Sequence, residues 1–208
     1  LQQDPFISQQ ALAERLSLSR SAVAGHIAAL TREGRILGRA YVLPAQAPVL
    51  CIGGANIDRK LRMDGPLLMG SSNPARQPES PGGVARNVAE NLARCGVPVQ
   101  LLTAVGQDAA GRALLDDAAR CGIDTEAAEV TAGALTGSYT AVLNPDGSLH
   151  VALAHMDLCE RLTPDWLARH AGRCRSAALV MADLNLPAAT LAALVAAAGD
   201  VGAPPLVL

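Results

Sequence analysis

From residue 49 onward the chain alternates short, unbroken apolar runs with stretches of helical period, and few folds accommodate that. Val49-Leu50-Cys51-Ile52 is one such run, closed by Gly53-Gly54. Its continuous apolarity suits a strand buried on both faces. Residues 84–95, 110–121, 164–170 and 188–198 read as helices, and residues 99–105 and 177–181 as strands, with Leu206 opening one more. The alternation predicts an α/β domain with a doubly wound, mostly parallel sheet. Residues 138–143 and 149–153 flank Asn144-Pro145-Asp146-Gly147, a hairpin turn by composition. With residues 59–63 and 73–77 that hairpin is expected to form a small antiparallel β flap over the edge of the sheet. Ligands of open parallel sheets gather at the carboxyl ends of strands. Residues 53–58 and 106–108 read as loops at such ends.

Residues 1–43 follow a different plan. Pro44-Ala45-Gln46-Ala47-Pro48 has no period and two prolines, and reads as a linker over 44–48. Before it the net charge is +2, and after it −4, the polarity expected of a nucleic-acid module joined to an acidic domain. Ser8 is placed to cap one helix and Ser19 a second, in which Val23, Ile27 and Leu30 form one apolar stripe. Residues 36–43 read as a hairpin with Arg39 near its tip. Together these predict a small winged helix-turn-helix domain that contacts DNA through Arg20, Ser21, His26 and Arg39. A structural role, in dimerisation, is the alternative for such a module.

Composition removes several other classes. Half of the residues are apolar and 17% are charged, which excludes intrinsic disorder. Aromatics make up 2%, too few for an extended base-stacking platform. The longest apolar run, residues 186–198, contains Pro187 and falls short of the roughly 20 residues of a membrane span. Cys51, Cys95, Cys121, Cys159 and Cys174 are scattered, without a Cys-x-x-Cys pair. They read as reduced core thiols of a cytoplasmic protein with no metal site. The first residue is not methionine and the last lies in a strand-like run, so both ends read as cut.

The chemistry gathers around Gly82-Gly83, which precedes a helix carrying Asn87. Two glycines let backbone approach a ligand, and a helix start offers unpaired N–H groups. Gly82-Gly83-Val84-Ala85-Arg86-Asn87-Val88-Ala89, followed by Gly96 and Gly106, resembles the first signature of the ribokinase-like (PfkB) carbohydrate kinases. Gly53-Gly54-Ala55-Asn56-Ile57-Asp58 is similar to the family's first sugar-holding segment, and a carboxylate such as Asp58 can accept from two hydroxyls. Ala104-Val105-Gly106-Gln107-Asp108 with Gly111 resembles a further family segment, in which Asp108 is expected to cap a helix. Ser72-Asn73-Pro74, the Pro81-to-Ala93 stretch, Ala154-His155-Met156-Asp157-Leu158 and Ala182-Asp183-Leu184-Asn185 are most similar to the pseudouridine kinase branch. Asn185 stands where ribokinases carry a sugar-contacting Glu.

The resemblance implies substrate contacts from Asn56, Asp58, Gly82, Gly83, Asn87 and Asn185. It also implies ATP and Mg2+ as cofactors, and transfer of a phosphoryl group to the 5′-hydroxyl of a ribosyl substrate, pseudouridine before adenosine, inosine or a hexose. The family's basic Asp lies in a late Gly-Ala-Gly-Asp motif. Ala197-Ala198-Gly199-Asp200 ends a helix instead of beginning one, so the catalytic Asp is expected beyond Leu208 and the 208 residues alone to be inactive. A sugar- or nucleoside-responsive transcription regulator is the reading from another class. An exposed flap edge would also suit a homodimer.

Overall fold

A computed structural model describes residues 1, 4–37 and 46–208. The N-terminal unit holds α1 (Gln9–Leu16) and α2 (Arg20–Arg32). Ser8 and Ser19 cap them as expected, each Oγ accepting a backbone N–H 3.1 Å away, from Ala11 and Ala22. Ser17 turns the chain between them in the left-handed region, φ 53°. Ala13, Val23, Ile7 and Ile36 are buried, with Leu12, Ile27 and Leu30 packed around the last two. Leu16 follows Leu12 by four residues, a spacing that predicts a shared apolar face, yet it is more than half exposed. Ile36 belongs to this core, and the rest of the expected hairpin, Arg39 included, lies largely outside the described residues, as do Pro44 and Ala45 of the linker.

In chain order the second unit begins with β1 (Val49–Ile52), β2 (Asn56–Met63), β3 (Ala75–Arg76), β4 (Glu79–Gly82) and α3 (Val84–Arg94). It continues through β5 (Val99–Leu102), β6 (Ala104–Gly106), α4 (Ala109–Arg120), β7 (Ile123–Asp124) and β8 (Glu129–Thr131). The last elements are β9 (Ser138–Leu143), β10 (Leu149–His155), α5 (Pro164–Arg169), α6 (Ala171–Ser176), β11 (Leu179–Ala182), α7 (Ala188–Ala198) and β12 (Leu206–Val207). The central sheet runs β12-β11-β1-β5-β7, parallel throughout.

Because side chains alternate along a strand, β1 supplies both faces of the core. Leu50 and Ile52 meet Leu102, Leu162, Trp166 and Leu194 on one side. Cys51 meets Ala85, Ala89, Leu101 and Met181 on the other. This two-sided burial explains why the strand reads as an unbroken apolar run. The run expected over 99–105 is interrupted at Thr103, whose carbonyl accepts the Glu129 N–H at 2.8 Å. Beyond that point β6 leaves the central sheet to pair with β8.

The flap is present. β9 and β10 form its hairpin, and β2 lies between β9 on one side and β3 and β4 on the other. All of these pairs are antiparallel except β2–β9. One local expectation is corrected: residues 56–58, read as loop, begin β2 and carry the chain directly from the core sheet into the flap. Of the cysteines, Cys95 departs from the reading. Cys51 and Cys159 are buried, and burial pushes their thiols up to about 12 and about 11. Cys121 and Cys174 are half-buried, and Cys95 is exposed, outside the core.

Trp166 is 1% exposed at the centre of the larger core cluster. Trp166→Ala is expected to lower the unfolding free energy by about 3–5 kcal/mol in urea titrations, the usual cost of emptying a buried aromatic site. A second expectation concerns acid. Burial alone would raise Asp108, yet hydrogen bonds from Thr136 and the Gly111 amide hold its carboxyl below the ordinary value of 3.8. A carboxyl depressed in the folded state supports stability above its unfolded pKa, and that support is lost as pH falls through the depressed value. Thr136→Val should therefore move the acid-unfolding midpoint, followed by circular dichroism, to higher pH.

Candidate functional site

The site is assembled where β2, β4 and the start of α3 meet the carboxyl ends of β1 and β11. Strand periodicity places Asn56 and Asp58 on one face of β2, and Asn56 Nδ2 donates to Asp58 Oδ1 at 2.6 Å. Asn56 is buried and Asp58 half-buried. Antiparallel pairing sets Asn56 opposite Gly82 and Asp58 opposite Ser80. The Asp58 carboxylate lies so close over Gly82 that a Cβ there would stand 2.4 Å from its Cγ. At Gly83, φ is +102° and a Cβ would meet the Gly54 carbonyl at 2.3 Å. Only glycine combines that backbone angle with that approach. The doublet and the upstream aspartate therefore converge.

Asn87 follows one helical turn after Gly83, its N–H on the Gly83 carbonyl at 2.8 Å. Residues four apart share a helix face, and side chains lean toward the N-terminus. Asn87, which is exposed, thus stands over the doublet. Asn185 is exposed at the end of β11, its N–H donating to Asp183 Oδ1 at 3.0 Å. All six expected contact residues, Asn56, Asp58, Gly82, Gly83, Asn87 and Asn185, belong to one locality.

What sequence reading missed is the group that joins them. Asp183 is 3% exposed, and its Oδ2 accepts from the Gly54 amide at 2.8 Å and the Ala85 amide at 3.0 Å. One carboxylate thus ties the loop after β1, the first turn of α3 and the end of β11. A negative charge is favoured at a helix N-terminus, where backbone donors lack intrahelical partners. The available signal was an acidic residue immediately after an apolar strand, next to the Asn185 that drew attention instead. Met156 was also passed over; a Cβ on Gly54 would touch its methyl at 3.2 Å.

Asp108 takes the capping role expected of it. Its Oδ1 accepts the Gly111 amide at 2.7 Å, and its Oδ2 the Thr136 amide at 2.9 Å. Asp200 follows the C-cap Gly199 of α7 and is exposed, away from these groups. Glu90, Asp117 and Cys121 approach one another closely enough to suggest a cation site. The Arg86 guanidinium already occupies that position, bonded to Glu90 at 2.6 Å and Asp117 at 2.8 Å. A groove of about 280 Å³ between α5, α6, α7 and β12 is lined mainly by apolar groups such as Leu167, Cys174, Leu194 and Leu206. It shares no residue with the Asp58 locality.

In the N-terminal unit, Arg20, Ser21 and His26 are all exposed on α2. At about 100° per residue, Arg20 and His26 flank the buried stripe on opposite sides, and Ser21 faces outward between them.

A family model described as pfkB family carbohydrate kinase matches residues 46–206, and one described as winged helix-turn-helix DNA-binding matches residues 1–36. The chain is 37% identical over 191 residues to an uncharacterized sugar kinase of Escherichia coli, covering 92% of this chain and 53% of the relative. It is 35% identical over 144 residues to the pseudouridine kinase of E. coli, covering 69% and 46%. Among solved structures, a carbohydrate kinase from Agrobacterium tumefaciens superposes with a TM-score of 0.68 at 34% identity, over 77% of this chain and 52% of that one. The chain spans about half the length of the curated relatives it matches.

Asp183→Ala would strand the Gly54 and Ala85 amides in a buried place, at about 1–3 kcal/mol for each unpaired group. The expected outcome is a clear fall in Tm together with weaker ligand binding. A variant with unchanged Tm would show that the three segments hold together without it.

Proposed function

The chain belongs to the pfkB family of carbohydrate kinases, and on that premise we propose that the protein phosphorylates the 5′-hydroxyl of a ribosyl nucleoside, pseudouridine first. The observation that carries this reading is the convergence of Asp58 with the glycine doublet. Asp58 offers acceptor lone pairs to neighbouring ribose hydroxyls, and Asn56 holds it in place through the 2.6 Å bond. Gly82 and Gly83 leave room for a sugar ring against backbone, and Asn87 and Asn185 border the same space. An amide at Asn185 suits a ligand whose anomeric carbon already bears a base. The relative named pseudouridine kinase supports that substrate class.

ATP and Mg2+ are the proposed phosphoryl donor and metal. The described residues do not fit them: the acidic trio at Glu90, Asp117 and Cys121 is neutralised by Arg86, and the chain's one lysine, Lys60, is exposed on the flap strand. The 160 or so matched residues are therefore proposed to supply acceptor binding and orientation, one part of the positioning that phosphoryl transfer requires. The catalytic Asp is sought elsewhere in the complete protein.

A regulator that senses a nucleoside is the second reading, favoured by the helix-turn-helix ahead of the kinase domain. In either case we propose DNA contact through the exposed Arg20, Ser21 and His26 of α2. Leu149, Val151 and Leu153 are exposed along β10, and a second copy of the chain pairing there is the proposed homodimer.

In the complete protein, pseudouridine should raise ATP turnover, whereas a sensor would bind it with no phosphoryl transfer and with altered affinity for an operator duplex. Asp58→Ala should weaken pseudouridine binding by about 1–3 kcal/mol in calorimetry, the cost of a buried hydroxyl losing its partner. An affinity unmoved by that substitution would remove Asp58 from the site. Arg20→Ala should weaken duplex binding and flatten its salt dependence in electrophoretic shifts.

A further inference from the structure

Arg86 sits beside Asn87 in the first turn of α3, and its side chain is 2% exposed. Its Nη2 is gripped from two directions, by Glu90 Oε2 one turn along the same helix and by Asp117 Oδ2 from α4. Those carboxylates are anchored in turn, Glu90 by Arg94 and Asp117 by Arg120. The guanidinium therefore has little freedom to rotate. Its remaining terminal nitrogen, Nη1, donates to Asn87 Oδ1 at 3.0 Å.

A carboxamide can be turned through 180° with almost no change of shape, exchanging a donor for an acceptor at its outer side. A guanidinium has donors only, so the atom of Asn87 that faces it must be oxygen. The amide nitrogen is then turned away from Arg86. We propose that Arg86 is a positioning residue that fixes the polarity of Asn87, so that Asn87 presents N–H donors to the ligand and selects an acceptor oxygen there. The inference rests on the reading of this locality as a nucleoside site and deepens it. Asp58 and Asn87 become complementary: one takes hydroxyl protons and the other addresses hydroxyl or carbonyl lone pairs. With lysine at position 86, whose one ammonium is drawn to the Glu90 and Asp117 carboxylates and has no second nitrogen for Asn87, the amide would divide its time between two orientations, only one of them productive.

The test is a double-mutant cycle in the complete protein with Arg86→Lys and Asn87→Ala, reading pseudouridine binding by calorimetry and Tm by scanning calorimetry. Arg86→Lys is expected to weaken binding about fivefold, the effect of loosening one hydrogen bond. In the Asn87→Ala background the same change should have no further effect on binding. An Arg86→Lys effect that persists undiminished there overturns the inference while leaving the site itself intact. Asn87→Ala binding as tightly as the parent overturns both. Strictly additive changes in Tm across the four proteins, whether or not pseudouridine binds, also overturn it, because they deny the contact. Should Arg86→Lys not fold, Asn87→Asp serves instead. A carboxylate keeps the bond to Arg86 but has no N–H, so Tm should hold or rise while binding falls at least tenfold. Asn87→Asp that binds like the parent overturns the proposal.

Discussion

The Asp183 carboxylate is the interaction on which the rest of the site depends. It is buried among backbone amides and accepts from Gly54, Ala85 and Asn185. Each of these belongs to a different passage between elements: β1 to β2, β4 to α3 and β11 to α7. A buried carboxylate without such donors would be costly. Here the donors are the unpaired N–H groups that a helix start and two strand ends must offer to something. Satisfying them with one side chain fixes the spacing of three backbone segments at once. Asn56, Asn87 and Asn185 then take their places from segments already fixed.

Around that knot the two sheets divide the labour. The central sheet buries both faces and gives rigidity. The flap, built on β2, carries Asn56 and Asp58 outward from it while keeping them in register with Gly82 and Ser80. The glycines are the meeting point, because no residue with a Cβ tolerates the approach of Asp58 on one side and of the Gly54 carbonyl on the other. Helix α3 is held from below by Arg86 and its carboxylates, which connect it to α4. The site is thus locked on its protein side by charge-assisted bonds, which are stronger than neutral ones, and left open on the side a ligand would approach.

Much of this was legible beforehand, for reasons that can be stated. β1 announced itself because a strand buried on both faces cannot alternate, and α7 because residues 188–198 repeat without a breaker until Gly199. The two serine caps were visible because capping chemistry is local. What stayed hidden was non-local. Asp183 is an ordinary acidic residue in the sequence, and its importance comes from Gly54 and Ala85, 129 and 98 positions away. The start of β2 was obscured by Asp58-Arg59-Lys60, whose charges mask a period-two pattern in Ile57, Leu61 and Met63. Arg86 was quoted within a motif without a role, because a cation inside a helix gives no hint that carboxylates from two helices will close over it.

The passage of β2 from one sheet to the other has a mechanical meaning. Asn56 and Asp58 ride on the ribbon, whereas Asn87 and Asn185 are fixed to the layer beneath it, so the two halves of a grip sit on different bodies joined at a pair of glycines. Any tilt of the ribbon changes the width of the jaws. A ligand touching both halves of the proposed grip would act as a strut between them, and the posture of the ribbon would then report whether the strut is in place.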